Sequence, residues 1–478
     1  MEGKLMNLSI KKFSIFPVIS VFALFSVICL LSPVIAAGAD DYCTALINAA
    51  DYLVSVQDSN GFWGNKPGGT WGADAENATG NAITALVKSY ELTGDTSYLG
   101  SAKKAGDYLI DVFIDADGNF DVHQAEIIGG NAYMNHLSPF LTAWIKLYQA
   151  TNDYKYLDAA IAFGDYLLTN GARCTEVGCD NNGLFGYLIR PEDYWGTGYG
   201  AFGPGCPFYH GHYLNYGYEQ IYGLALLSEI TGNADYLAAA ELGGQQEIKH
   251  QKSDGSFPSL MKDGTGTLGI HYASVKILAY AKLYDITSNS QYEDAINNYI
   301  GWLSSQQNPD YSFGSGDYVR STTWAAKALL EASRILGDES SKTAGESAVD
   351  WLLAPGHGYD STSGRVERYS ESTDVYIAYS QTPFIMTMAE YLAVALSIVD
   401  TINEIITEVD HHGIANSLIS KLQNALNAQE QGNTEAFEKI LNAFIRAVES
   451  QKGKHIDSGY ADTLIARALF WINNSQCI

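Results

Sequence analysis

Three clusters carry side chains suited to moving protons. "GGNAYMNHLSP" supplies Tyr133, Asn135 and His136; "FYHGHYLNYGYEQ" supplies Tyr209, His210, His212, Tyr213, Asn215 and Glu219; "GIHYAS" supplies His271 and Tyr272. β-Elimination from a uronate needs a base for the C5 proton, an acid for the leaving oxygen and a group that neutralises the carboxylate. Here His212 or His136 would be the base, Tyr213 the acid, and Asn135 or Arg320 the neighbour of the carboxylate. Trp71, Tyr133, Trp195, Tyr199, Tyr209, Tyr272 and Tyr318 would offer ring faces to the C–H faces of sugars.

Hydrolysis is the alternative and needs two carboxyl groups, one protonated and one ionised. Asp74, Glu76, Asp121, Glu126, Glu192, Asp193, Glu219, Glu371 and Asp374 all lie near the same clusters, and the sequence does not choose a pair. A surface protein that binds a glycan without cutting it would use the same aromatic residues. His210-Gly-His212 lacks a third ligand at zinc spacing. No phosphate loop, GxSxG elbow or CxxC motif is present, so neither metal nor cofactor is expected.

The elements that position these residues repeat. "YLVSVQDSNGFWG" (52–64) returns in weakened form as "HQKSDGSFPS", "SQQNPDYSFGSG", "IDADGNFDVH" and "CDNNGLFGYL", at intervals of 56 to 72 residues. Between them run "YELTGDTSYL", "YQATNDYKYL", "SEITGNADYL" and "YDITSNSQYE", short breaks between two helical patterns. First helices are expected near 43–57, 96–113, 153–170, 234–251, 290–307 and 339–354. Second helices are expected near 79–93, 137–151, 216–232, 271–287, 321–337 and 382–399, and these are the more apolar set. Six such pairs predict an all-α fold, an (α/α)6 toroid over residues 40–400; an open superhelix of hairpins shares the pattern. Short turns then lie at one pole. The long loops 58–78, 114–136, 171–215, 252–270, 308–320 and 355–381 lie at the other and feed inner-helix N-termini, where negative charge is favoured.

This repeat pattern resembles the six-hairpin glycosidase and terpenoid-cyclase-like folds, which include glycoside hydrolases, polysaccharide lyases and squalene–hopene cyclases. Gln57, Gly61 and Trp63 match the cyclases' QW motif, and Gln251, Gly255 and Phe257 match it with one substitution. The cyclases' D-x-D-D acid motif is missing, its nearest run being Asp115-Ala-Asp117-Gly118. The Gln-Gly-Trp set is therefore expected to be scaffold. The resemblance implies a carbohydrate-active protein, either a polysaccharide lyase or a glycoside hydrolase, whose partner is a poly- or oligosaccharide.

Residues 401–478 change periodicity and predict three amphipathic helices, separated at Gly432-Asn433 and Gly453. This bundle resembles the FIMAH module, with Phe444-Ile445-Arg446-Ala447-Val448 keeping three of five letters. At the other end, Lys4, Lys11 and Lys12 precede an apolar run from Phe13 to Ile35 and an Ala37-Gly38-Ala39 cleavage pattern. Residues 1–39 thus predict a signal peptide, or an uncleaved anchor as the only membrane contact, and an extracellular or cell-surface protein. With 28 basic and 54 acidic residues the formal charge of the 478-residue chain is −26, which opposes nucleic acid as a partner. Of the cysteines, Cys174 and Cys179 are close enough in sequence to pair, while Cys43 and Cys477 lie at opposite ends of the mature chain.

Overall fold

The short breaks in the sequence are two-residue joints. The last carbonyls of one helix are closed by a residue in the left-handed region: Gly94, Asn152, Gly232, Ser288 or Gly337. The next residue, Asp95, Asp153, Asn233, Asn289 or Asp338, caps the following helix by accepting from the backbone N–H two positions on. This is why Gly/Asn/Ser followed by Asp/Asn recurs at each break.

The computed structural model describes residues 39–69, 74–122, 124, 134–169, 174, 183–185, 201–202, 208–209, 217–259, 264–367, 375–395, 398–409 and 411–473. Outer helices are α1 (Ala39–Ser55), α3 (Thr96–Phe113), α6 (Tyr154–Leu168), α8 (Ala234–Ile248), α10 (Ser290–Ser305) and α12 (Glu339–Leu353). Inner helices are α2 (Ala75–Thr93), α5 (Pro139–Thr151), α7 (Tyr218–Thr231), α9 (Ile270–Thr287), α11 (Tyr318–Leu336) and α13 (Thr382–Ala395). A single turn, α4 (Met134–Leu137), precedes α5, and a π-helical turn, Ile377–Gln381, leads into α13. Each inner helix packs on the next, and α13 packs on α2 and α1, so the hairpins close into an (α/α)6 toroid instead of an open superhelix. The one strand pair among the described residues is Ala201–Phe202 with Phe208–Tyr209, in the longest loop.

Two joints repeat around the ring. In the first, a glutamine amide clamps its own loop to the next outer helix. Gln57 Nε2 donates to the Gly61 carbonyl at 2.7 Å and to that of Ser101 at 2.9 Å. Gln251 does the same to Gly255 and Ala295 at 2.9 and 3.0 Å. Gln307 does so more loosely to Tyr311 and Ala344 at 3.3 and 3.5 Å. Gly61, at φ 109°, lies so close to α3 that a Cβ would stand 2.8 Å from the Lys104 carbonyl oxygen. Trp63 is buried beneath, its Nε1 donating to the Leu53 carbonyl at 2.8 Å. The Gln-Gly-Trp set is structural, as expected, and Asp115 sits in an exposed turn, accepting from the Asp117 and Asn119 backbones.

In the second joint, a tyrosine near the start of an outer helix donates to an acid on the previous one. Tyr98 reaches Asp51 at 2.7 Å, Tyr156 reaches Asp107 at 2.8 Å and Tyr236 reaches Asp165 at 2.6 Å. Both joints also close the ring. Tyr42 of α1 donates to Asp350 of α12. Gln381, approaching from the π-helical turn, donates to the Gly364 and Ala49 carbonyls, both at 2.9 Å, and accepts from the Val366 N–H.

After the ring, α14 (Ile398–Glu408) runs into α15 (His412–Glu430), α16 (Thr434–Gln451) and α17 (Ser458–Asn473), which pack together about Phe437, Leu441, Phe444 and Trp471. His411 caps α15 through its ring nitrogen. The bundle is seated on the toroid, with Phe470 6.2 Å from Tyr42 and 6.4 Å from Tyr391 between ring centroids, while Arg467 donates to Thr401 of α14. Among the described residues no helix is long and apolar enough to cross a membrane; the N-terminal segment lies outside them.

Trp63→Ala should cost about 3–5 kcal/mol, measured by denaturant unfolding, because it removes a buried indole. Gln381→Met leaves two buried carbonyls and one N–H unpaired and should cost about 2–5 kcal/mol. The same change at the half-exposed Gln307 should cost less than half as much.

Candidate active site

The two ends of the helices are treated differently. All five outer helices that follow a short turn have a capping side chain, whereas Asp74, Ser138, Gly217, Gly269, Asp317 and Tyr376, which precede the inner elements, provide none. The inner N-termini therefore keep their dipole unanswered by a local cap, at the pole where the long loops lie.

Side chains from the starts of all six inner positions, within about two turns, line one cavity of about 430 Å³ at this pole. Asn77 and Asn81 come from α2, His136 from the turn before α5, and Tyr218 and Glu219 from α7. His271 and Tyr272 come from α9, Arg320 and Trp324 from α11, and Tyr379 from the π-helical turn. A deeper cavity of about 610 Å³ continues along the axis and shares Asn81, Glu219, Val275 and Trp324 with the first.

Arg320, Tyr379 and His136 are linked through Asp74 in a chain across the α13–α2 closure. The Arg320 guanidinium lies over the Tyr379 ring at 4.2 Å and the Tyr272 ring at 5.0 Å, with the Asp317 carboxylate 3.8 Å away. Burial, and then the charge of Asp74, push the Tyr379 hydroxyl far above its ordinary pKa, so it stays protonated. Asp74 accepts from Asn65 at 3.0 Å and stands 3.3 Å from His136 Nε2. Burial lowers the His136 pKa below its ordinary 6.5, against the opposing pull of Asp74. The imidazole is then neutral near pH 7, and the carboxylate selects the tautomer with its proton on Nε2. The π turn makes this possible: the Ile377 N–H donates to the Asn65 carbonyl at 2.8 Å, bringing the α13 lead-in onto the α2 lead-in.

Across the cavity stands Glu219. Burial alone raises its pKa to about 8, and its Oε2 has no hydrogen-bond partner among the described residues. Its position is held from behind. The Gly217 N–H donates to Glu247 Oε1 at 3.0 Å, and Glu247 Oε2 accepts from Lys276 at 2.8 Å and from Tyr280 at 3.3 Å. This buried ion pair from α8 and α9 fixes the first turn of α7.

Of the residues expected from sequence, His136, Arg320 and Tyr272 come together in the cavity. Tyr318 starts α11 half-buried and lines neither cavity. His212, Tyr213, Trp71, Tyr133, Trp195 and Tyr199 lie outside the described residues, as do the side chains of Asn135 and Tyr209. Sequence reading did not single out Asp74 and Glu219 from the other loop carboxylates, and it missed Trp324 and Tyr379. Trp324 had a signal, standing four residues after Arg320 on the same helical face. Among the described residues no three His, Cys, Asp or Glu side chains converge as for a metal ion.

Comparison with known proteins supports the fold. Residues 406–472 match the FIMAH domain family. No curated protein matches the sequence. Among solved structures, the toroid is similar to an unsaturated glucuronyl hydrolase specific for heparin (13% identity, 75% of this chain and 98% of that one, TM-score 0.56). It is also similar to a family 76 α-1,6-mannanase from Salegentibacter sp. in complex with mannotriose (15%, 74% and 99%, 0.53). A third is cellobiose 2-epimerase from Bacillus thermoamylovorans (11%, 74% and 99%, 0.55). The chain thus has the six-hairpin α/α toroid shared by several carbohydrate-active enzymes, with a FIMAH domain appended.

Glu219 makes stability depend on pH. Its carboxyl titrates near 4.5 when unfolded and about 8 when folded, so stability declines as pH rises through that window. Glu219→Gln should therefore raise Tm by a few degrees above pH 8 and change it little below pH 4.5.

Proposed function

We propose that the chain is a carbohydrate-active enzyme that cleaves a glycosidic bond in the axial cavity, with Glu219 as proton donor and the Asp74–His136 pair as proton acceptor. One observation carries this reading: Glu219 is held protonated to about pH 8, while His136 on the same cavity is held unprotonated below its usual value. Titratable groups pushed in opposite directions are how one cavity supplies an acid and a base at one pH.

In hydrolysis the Glu219 proton passes to the glycosidic oxygen as its bond to the anomeric carbon breaks. Water adds its oxygen to that carbon and gives its proton to His136, whose imidazolium Asp74 then neutralises. Tyr272 and Trp324 offer ring faces for the sugar. The reported structures similar to this toroid include two hydrolases, one of them holding mannotriose, which favours a glycan as substrate. Arg320 favours a second reading, β-elimination from a uronate. His136 would then take the C5 proton, Glu219 would protonate the leaving oxygen, and Arg320 would face the carboxylate.

We also infer export. Cys43 and Cys174 are both disulfide-bonded, as suits an extracytoplasmic protein, and the Lys-flanked apolar segment precedes α1 directly.

A panel of neutral and uronate-containing polysaccharides, with analysis of product ends, tests the assignment. New saturated reducing ends are expected; unsaturated uronates would select elimination, and binding without cleavage would overturn the enzymatic reading. The rate should fall as pH rises through about 8, and again in acid as His136 protonates. Glu219→Gln and His136→Asn should each lower kcat by about 10²–10⁴-fold with the fold intact by circular dichroism.

A further inference from the structure

Below Glu219 the axial chamber gathers positive charge that the acid–base pair does not use. Lys88 of α2, Lys146 of α5 and Lys327 of α11 all line the 610 Å³ cavity, whose other walls include Pro139, Leu278 and Met386. Among the described residues one carboxylate pairs with them directly, and Glu91 and Glu331 add a weaker attraction from farther away. Glu390 of α13 stands 3.0 Å from Lys88 and 3.7 Å from Lys327. The next acids toward the short-turn pole are already matched, Glu229 by Lys282 at 2.7 Å and Glu331 by Arg334 at 2.6 Å; Glu91 is exposed. Lys146 has no ion pair or hydrogen bond among the described residues, and its pKa is lowered by burial and then by Lys88. Burial likewise holds Lys327 down at about 8.

Three ammonium groups around one directly paired carboxylate in a partly apolar chamber repel each other and lose solvation. Helix dipoles do not account for the arrangement, because that effect fades within the last turn. Lys88 and Lys146 each lie five residues from the end of their helix, and Lys327 nine. The chain carries a net −26, so three lysines converging inside it are not a consequence of composition.

We propose that the lower chamber is an anion subsite, in which Lys88, Lys146 and Lys327 receive a carboxylate or sulfate group borne by the saccharide unit lying beneath Glu219. This rests on the glycan reading above and names the substrate class: anionic sugars. Lys88 and Lys327 lie seven residues deeper than Asn81 and Arg320 on the same helices, roughly 10 Å at helical rise. The deeper cavity runs along that interval from Glu219 to the lysine layer, with Trp324, whose ring lies 5.7 Å from the Lys327 ammonium, as its side wall.

Calorimetric titration of the full chain with glucuronate, glucose and inorganic sulfate at constant ionic strength tests the proposal. Glucuronate should bind about tenfold or more tightly than glucose, and sulfate should compete with it. Lys146→Met should remove most of that preference, and Lys327→Met should remove it as well. Lys146→Met discards an unpaired ammonium, so its ligand-free Tm should equal or exceed that of the parent, which separates lost binding from lost folding. Equal affinity for glucose and glucuronate, or a preference unchanged in both variants, overturns the subsite and leaves the glycan reading standing. Lysine-dependent sulfate binding with no saccharide binding keeps the anion site and overturns the glycan reading. Binding of none of the three probes overturns the subsite.

Discussion

The structure depends on closing a ring at a point where no turn joins the last inner helix to the first outer one. Elsewhere, each inner helix hands the chain to the next outer helix through a two-residue turn. Between α13 and α1 there is no such turn, and the work falls to the Gln381 amide and the Tyr42–Asp350 pair. Gly364 permits the approach, since a Cβ there would stand 1.9 Å from the Asn48 carbonyl oxygen. All three hydrogen-bonding positions of the Gln381 amide that are used point at backbone, so the contact is insensitive to side chains on the far side. The axial cavities exist because six inner helices surround a common axis, and that geometry holds only while the ring is shut.

The proposed acid–base chemistry inherits this constraint. Asp74 and His136 lead into α2 and α5, while Tyr379 belongs to the same five-residue π turn that supplies Gln381. In a turn with five residues to the hydrogen-bonded ring, positions two apart can face opposite sides, Tyr379 toward the axis and Gln381 toward the outer layer. One short irregular segment therefore both seals the scaffold and lines the axial cavity. On the opposite wall the buried Glu247–Lys276 pair has a comparable part, setting the depth at which Glu219 is desolvated.

Much of the scaffold was legible in the sequence. Helical periodicity, the Gly/Asn–Asp/Asn breaks and the alternation of long and short connections place twelve helices and both poles, because these features are local and repeated. The site was only partly legible. His136, Arg320 and Tyr272 stand at inner-helix starts, and position along the chain was enough to select them. Glu219 was one of nine loop carboxylates, and what distinguishes it is burial, which arises from helices far away in sequence. Asp74 and His136 meet though 62 positions apart in the chain, and Asp74 and Tyr379 meet across the ring closure. The lysine layer was hidden differently: Lys88, Lys146 and Lys327 each sit within an apolar helix, where a single lysine reads as the polar edge of an amphipathic face. Their convergence appears only when three helices are set around one axis.

The repeated joints have a topological consequence. The contacts that seal α13 to α1 are of the same kind as those between consecutive hairpins, so the ring does not register where the polypeptide begins. A short linker from the end of α13 to the start of α1, with the chain cut at any of the five two-residue turns, would leave every joint and both cavities in place. The order of hairpins along the gene and their order around the axis are thus separable properties, and the present starting point is one of six equivalent permutations of a circular object.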